Sequence, residues 1–235
     1  MTPALLIAGN FLREQRWFIF FLVLYVVAIS SVYALTPRPE MQDFLFLVKQ
    51  LTAFALLFSV SAASSAIHNE QRSRRIVAVL SKGISRSEYI GGLLLGSLCI
   101  SAISCAGLLA GAIELRSRLH FPMAPVLDLV AITLVAAVLL NAIALFFATL
   151  LHPLLAMIAT AVVVSLPFVL AQVLGPQALH TLAAAPLIDS LRNFSFSRSW
   201  SAPWPSVTLA LMESVLFWLA SAWCFSRRDI AVAVE

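Results

Sequence analysis

Few residues of this chain have the types and spacing that do chemistry, and most of them lie in one stretch. From His68 to Tyr89 the sequence carries Arg72, Arg74, Arg75, Lys82 and Arg86, five of its 15 basic residues, with Glu70 and Glu88 near the two ends. Glu70, Arg74, Arg75, Arg86 and Glu88 can supply ion pairs, and Ile76, Leu80 and Ile84 a packed centre between them. That is the composition of a docking surface rather than of a catalytic one. The same charges would also serve to fix topology and meet anionic lipid headgroups. Elsewhere the chemistry thins out. His68, His120, His152 and His180 fall in separate connections, while Cys99, Cys105 and Cys224 sit in apolar runs with no CxxC or Cys/His spacing. This predicts neither a metal site nor a disulfide framework. No HExxH, GxSxG or phosphate-cradling GxxxxGK[ST] occurs, so the sequence points to no catalytic residue and to no ATPase within this chain.

The framework that must position the basic stretch is apolar. Of 235 residues 61% are hydrophobic and 11% charged, with mean hydropathy +0.98, which leaves too little polar surface for a soluble domain. A hydrocarbon core takes roughly 20 apolar residues per helix. The expected fold class is therefore an all-α integral membrane protein with six transmembrane helices at about 17–35, 44–67, 91–113, 126–151, 154–173 and 207–225. Residues 1–16 place Leu5, Leu6, Phe11 and Leu12 beside Asn10, Arg13, Glu14, Gln15 and Arg16, which predicts an N-terminal interfacial helix ahead of a transmembrane domain over 17–235. Pro37 and Pro39 stop the first span, and His152 with Pro153 form a minimal link between the fourth and fifth. Ser59, Ser61, Ala62, Ala63, Ser64, Ser65 and Ala66 make the end of the second span small enough to pack closely against protein. Between 174 and 206, Pro176, Pro186, Pro203 and Pro205 alternate with Leu182, Leu187 and Ile188, which suits short re-entrant helices before the sixth span. In the 68–89 connection the apolar run Ile76 to Leu80 is too short to span. A helix there would stop near Lys82 and Gly83, and Ser85 with Glu88 would cap the next as a capping box.

Polar residues inside the spans need partners. Glu213 in the sixth span is either a polar element of a substrate path or a hydrogen-bonded structural acid. Asn141, and Ser61 and Ser65 in the second span, are further candidates for lining a path, as are Ser165 and Pro167, or else they pack and kink helices. Lys49 and Gln50 must lie at the interface or face protein. Asp189, Arg192 and Arg198 could meet polar substrate groups or lipid headgroups, and Trp200 and Trp204 could anchor the interface or stack on a ring. Nine Lys and Arg residues fall on the side of the N-terminus, the 68–89 connection and the C-terminus, against six on the other. This predicts both termini to be cytoplasmic. The basic residues form no aromatic-interleaved patch, so the net charge of +4 reads as topology and not as nucleic-acid binding.

An acidic Glu70 after the second span, a basic and apolar segment, then Leu80-Ser81, Ile84-Ser85-Arg86, Glu88 and Tyr89 leading into a Gly-containing span resemble the permease subunits of ABC-2 type transporters. The ending Phe225-Ser226-Arg227-Arg228-Asp229-Ile230 is similar to that family's close, whereas Arg74, Arg75 and Gly83 depart from its usual Gly-Thr and Pro. The resemblance implies that the connection forms a cytoplasmic coupling helix docking on a separate ATPase subunit, which would bind ATP and Mg2+; this chain itself would carry no cofactor. It also implies a second permease chain, identical or related, in the cell membrane of a bacterium, and export of a cargo that the residues do not identify, with a lipid, a glycan-linked lipid, a hydrophobic drug and a peptide all open. A non-transporting membrane scaffold that docks a soluble partner on the basic connection is the alternative from the residues alone.

Overall fold

The computed structural model describes residues 3–35, 40–72, 84–196 and 203–227, and every regular element among them is helical. In chain order these are α1 (Pro3–Glu14), α2 (Arg16–Leu35), α3 (Met41–Arg72), α4 (Arg86–Leu119), α5 (Ala124–Leu150), α6 (Pro153–Leu174), a 3-10 turn (Pro176–Thr181), α7 (Ala184–Arg192) and α8 (Trp204–Arg227). By length and composition α3, α4, α5, α6 and α8 can each cross a membrane. The pair α1 and α2 passes the same test only together, across a 68° bend, so the count is five or, with that pair as one, six.

Ring contacts show how the long helices alternate. Phe44 at the start of α3, Phe121 between α4 and α5, and Phe196 after α7 meet at one end, with centroids 4.6, 5.4 and 5.0 Å apart. At the other end His68 near the finish of α3 lies 5.1 Å from His152 before α6, and Tyr89 at the start of α4 stacks on Phe225 at the finish of α8. Successive long helices are thus antiparallel, as short connections between them require.

Two helices outrun the spans expected of them. The sequence predicts spans at 44–67 and 91–113, but α3 has 32 residues and α4 has 34. At 1.5 Å per residue they run about 48 and 51 Å, well beyond a hydrocarbon core of roughly 30 Å. Residues 68–72 and 86–89, expected as part of a connection, are helical continuations; residues 73–83, with the expected coupling helix, lie outside the described residues.

The N-terminal helix also differs from a segment lying alone on a membrane. Its buried residues Ile7, Ala8 and Phe11 are seated on α4, where Gly92 and Gly96 open a notch. A Cβ on Gly92 would fall 2.7 Å from Ile7 Cβ and 2.8 Å from the Ala4 carbonyl oxygen, and one on Gly96 would collide with the Phe11 ring. Four-residue spacing of small residues is how helices approach closely in lipid. Leu5 and Leu6 on the opposite face remain exposed.

α5 is the hub of the bundle, packed against α3, α4, α6, α7 and α8 and buried over most of its length. Ser59, Ala62, Ala63, Ser64 and Ala66 at the end of α3 are all buried, as their small size predicts. The segment after α6 forms two short helical pieces, with Ala183, Ala184, Ala185 and Leu187 fully enclosed.

Candidate functional site

At the end of the bundle where α3 finishes and α4 begins, side chains converge from four helices. Ser85 is the N-cap of α4: its hydroxyl accepts from the Glu88 N–H at 3.2 Å, and the Ser85 N–H donates to a Glu88 carboxylate oxygen at 3.1 Å. Two otherwise orphaned donors are satisfied, so the helix starts at a fixed residue and in a fixed direction. That direction sets what Arg86 and Tyr89 can reach.

Arg86 reaches the far end of the chain. Its Nη1 donates to the carbonyl of Phe225 at 2.8 Å and also to that of Ser226, in the last turn of α8. The final carbonyls of a helix have no intrahelical partner and carry the negative end of its dipole, so a guanidinium there satisfies both needs. Tyr89, 0% exposed, stacks on the Phe225 ring at 5.7 Å with planes 13° apart. The indole N–H of Trp218 donates to the Ser87 carbonyl at 3.3 Å, one further tie between α8 and the first turn of α4.

Glu70 closes the site from α3. It is only 3% exposed, although it is a carboxylate near a helix end, and it lies with Glu14 of α1 within electrostatic reach of the Tyr89 side chain. Ile84, half-buried, packs against the hydrophobic core just before the cap. Of the residues singled out for coupling, the fold therefore brings together Glu70, Ile84, Ser85, Arg86, Glu88 and Tyr89. Arg74, Arg75, Leu80 and Ser81 fall outside the described residues.

The residues expected to line a pathway do not converge in this way. Asn141 is fully buried in α5, and its Oδ1 accepts from Ser59, not Ser61 or Ser65, at 2.8 Å. Ser61 donates to Met157 Sδ at 3.4 Å and Ser65 to the Ala62 carbonyl of its own helix at 3.1 Å. Glu213 takes the Ala183 N–H on both carboxylate oxygens, at 3.3 and 3.1 Å, and so fixes α7 to α8 at the N-cap position of α7. Among the described residues no group of three or more His, Cys, Asp and Glu side chains is placed to hold a metal ion.

Sequence reasoning missed three participants: Phe225 as the ring beneath Tyr89, Trp218, and Ser59. Phe225 stood in a motif noted for its resemblance, and Trp218 carried the signal of an indole N–H in an apolar helix, which needs an acceptor when buried. Ser59 lay in the small-residue run with no feature to separate it from its neighbours. No protein-family model and no curated protein matches this chain.

Proposed function

We propose that this chain is the membrane-spanning permease subunit of an ATP-driven exporter of the ABC-2 type. In this reading α2 is the first of six spans with α1 as the interfacial helix ahead of it, and both termini and the connection between α3 and α4 face the cytoplasm of a bacterial cell. Two such chains, identical or closely related, work with two ATPase subunits that bind ATP and Mg2+.

The single observation that carries the proposal, beside the resemblance in the sequence, is how the basic connection is rooted. A coupling element is useful only if a push on it reaches the spans without being absorbed in a soft joint. Here the root that follows the connection is capped at Ser85 and tied by Arg86, Ser87 and Tyr89 to α8, while α1 is wedged into α4 one to two turns on. The root that precedes it ends in buried Glu70, beside Tyr89. Force applied between Arg72 and Ile84 would therefore move α3, α4 and α8 together, which is the rigid-body displacement that switching access requires.

The test is purification of the tagged chain from its own host's membranes in mild detergent, with identification and ATPase assay of whatever accompanies it. Arg74→Glu and Arg75→Glu are run alongside, because they change the connection without touching the Arg86 clamp. A stoichiometric ATPase that is lost or uncoupled in the reversed variants is the expected result. Absence of an ATPase, or full stimulation in both variants, would overturn the proposal and leave a docking scaffold in its place.

A further inference from the structure

Between α3, α5, α6 and α7 runs a groove of about 450 Å3, within the range of roughly 300–1,000 Å3 that holds small-molecule ligands. Lys49, Leu56 and Val60 of α3 share one helix face along it, Met157 and Val164 of α6 form the facing wall, and Arg192 of α7 joins at one end. The walls offer a ligand almost nothing polar. Of the two hydroxyls there, Thr52 donates to the Val48 carbonyl and Thr160 to the Ala156 carbonyl, each at 2.8 Å within its own helix. A groove with satisfied hydroxyls and aliphatic walls suits hydrocarbon.

The two cations break that pattern. Lys49 sits about two turns into α3. Arg192 closes α7; both residues line the groove with their stems and are exposed, with no acidic partner among the described residues. Asp43, the acid nearest Lys49 on its own helix, is engaged with the Glu40 N–H at 3.1 Å. In lipid an unpaired cation is costly and reaches for the headgroup layer or for an anion. Arg offers a planar fork that matches phosphate oxygens, and Lys adds a point charge beside it.

We infer that this groove binds an anionic phospholipid, an acyl chain lying along Leu56, Val60, Met157 and Val164 and its phosphate held between Lys49 and Arg192. Aliphatic walls with a pair of unneutralised cations at one end are complementary to that amphipath and to neither a neutral lipid nor a free anion. That the bound lipid is the class of cargo rests on the export reading; that it binds does not, since the site lies within one chain.

The test uses the purified full-length chain and native mass spectrometry after exposure to phosphatidylglycerol or phosphatidylcholine of equal chain length, with glycerol phosphate as the chainless control. The expected result is one phosphatidylglycerol retained per chain at least tenfold in preference to phosphatidylcholine. The preference should be lost in Lys49→Gln/Arg192→Gln, and retention of either lipid reduced in Ala53→Trp, which fills the groove from an exposed position. Glycerol phosphate should not bind. Equal retention of the two lipids by the unaltered chain, or an undiminished preference in the double variant, would overturn the inference. So would a dimer that Ala53→Trp converts to monomer, because the groove would then be filled by a second copy. None of these outcomes depends on an ATPase, so this inference and the exporter proposal can fail separately.

Discussion

Where α3 finishes and α4 begins, the bundle is closed by directed polar contacts: the Ser85–Glu88 box, Arg86 on the last carbonyls of α8, and Trp218 on Ser87. Where α3 begins and α4 finishes, it is closed by rings, with Phe44, Phe121 and Phe196 in mutual contact and Phe194 edge-on to Phe196. Hydrogen bonds fail steeply with angle, so the first end holds its helices at one register. Ring packing tolerates small shifts, because offset and edge-on arrangements are nearly equal in energy. A displacement entering at the polar end is therefore expected to be passed on there and accommodated among the rings, next to the groove.

The largest effect should come from the ring end. Phe44→Ala removes the stacked partner of both Phe121 and Phe196, and buried Phe→Ala changes cost about 3–5 kcal/mol in soluble cores. The melting temperature in detergent should fall further than for any variant below. A drop no greater than that of Phe20→Ala, an exposed control on α2, would mean that the rings do not hold this end.

At the polar end, Arg86→Ala should cost about 1.5–3 kcal/mol, as charged hydrogen bonds do, and should speed hydrogen exchange in the last turn of α8 while leaving α5 protected. Unchanged exchange there would show the clamp to be unnecessary. Ser85→Ala removes one half of the capping box, a loss of about 1 kcal/mol, visible as faster exchange confined to the first turn of α4. The smallest expected effect is that of Glu213→Gln, whose amide oxygen still accepts from Ala183, so the melting temperature should move by less than about 1 kcal/mol would produce. If that variant kept its fold but lost the ATPase stimulation that the exporter proposal expects, Glu213 would belong to the proposed pathway as well as to the α7 anchor.

Much of the helical layout was legible, and the reasons are local. The Ser85–Glu88 box, the His152–Pro153 link and the small face of α3 each depend on residues within a turn or two of one another. The relation of α5 to α6 was not legible. Both are apolar all round, yet α5 is enclosed while α6 buries little beyond Ala156, Thr160 and Pro167 and exposes Leu154, Ile158, Val162 and Val169. In a bilayer, lipid and protein interior are equally apolar, so hydropathy does not separate them. The site was legible as a set of candidates and not as a geometry: Glu70, Arg86 and Tyr89 stood out, but the carbonyl that Arg86 reaches lies 139 residues away along the chain. The third span was read only as containing glycine, and the notch of Gly92 and Gly96 and what it receives are known only from the fold.

That notch has a consequence for the order of events at the ribosome. Ile7 and Phe11 are made before the glycines that receive them, which follow about 85 residues later. At 5–20 residues per second that is a wait of roughly 4–17 s. Throughout that interval α1 has no permanent seat, and its apolar face must be sheltered by the bilayer surface or a chaperone. α1 is thus synthesised well before the seat that receives it, and nascent chains arrested before Gly96 should leave it open to protease.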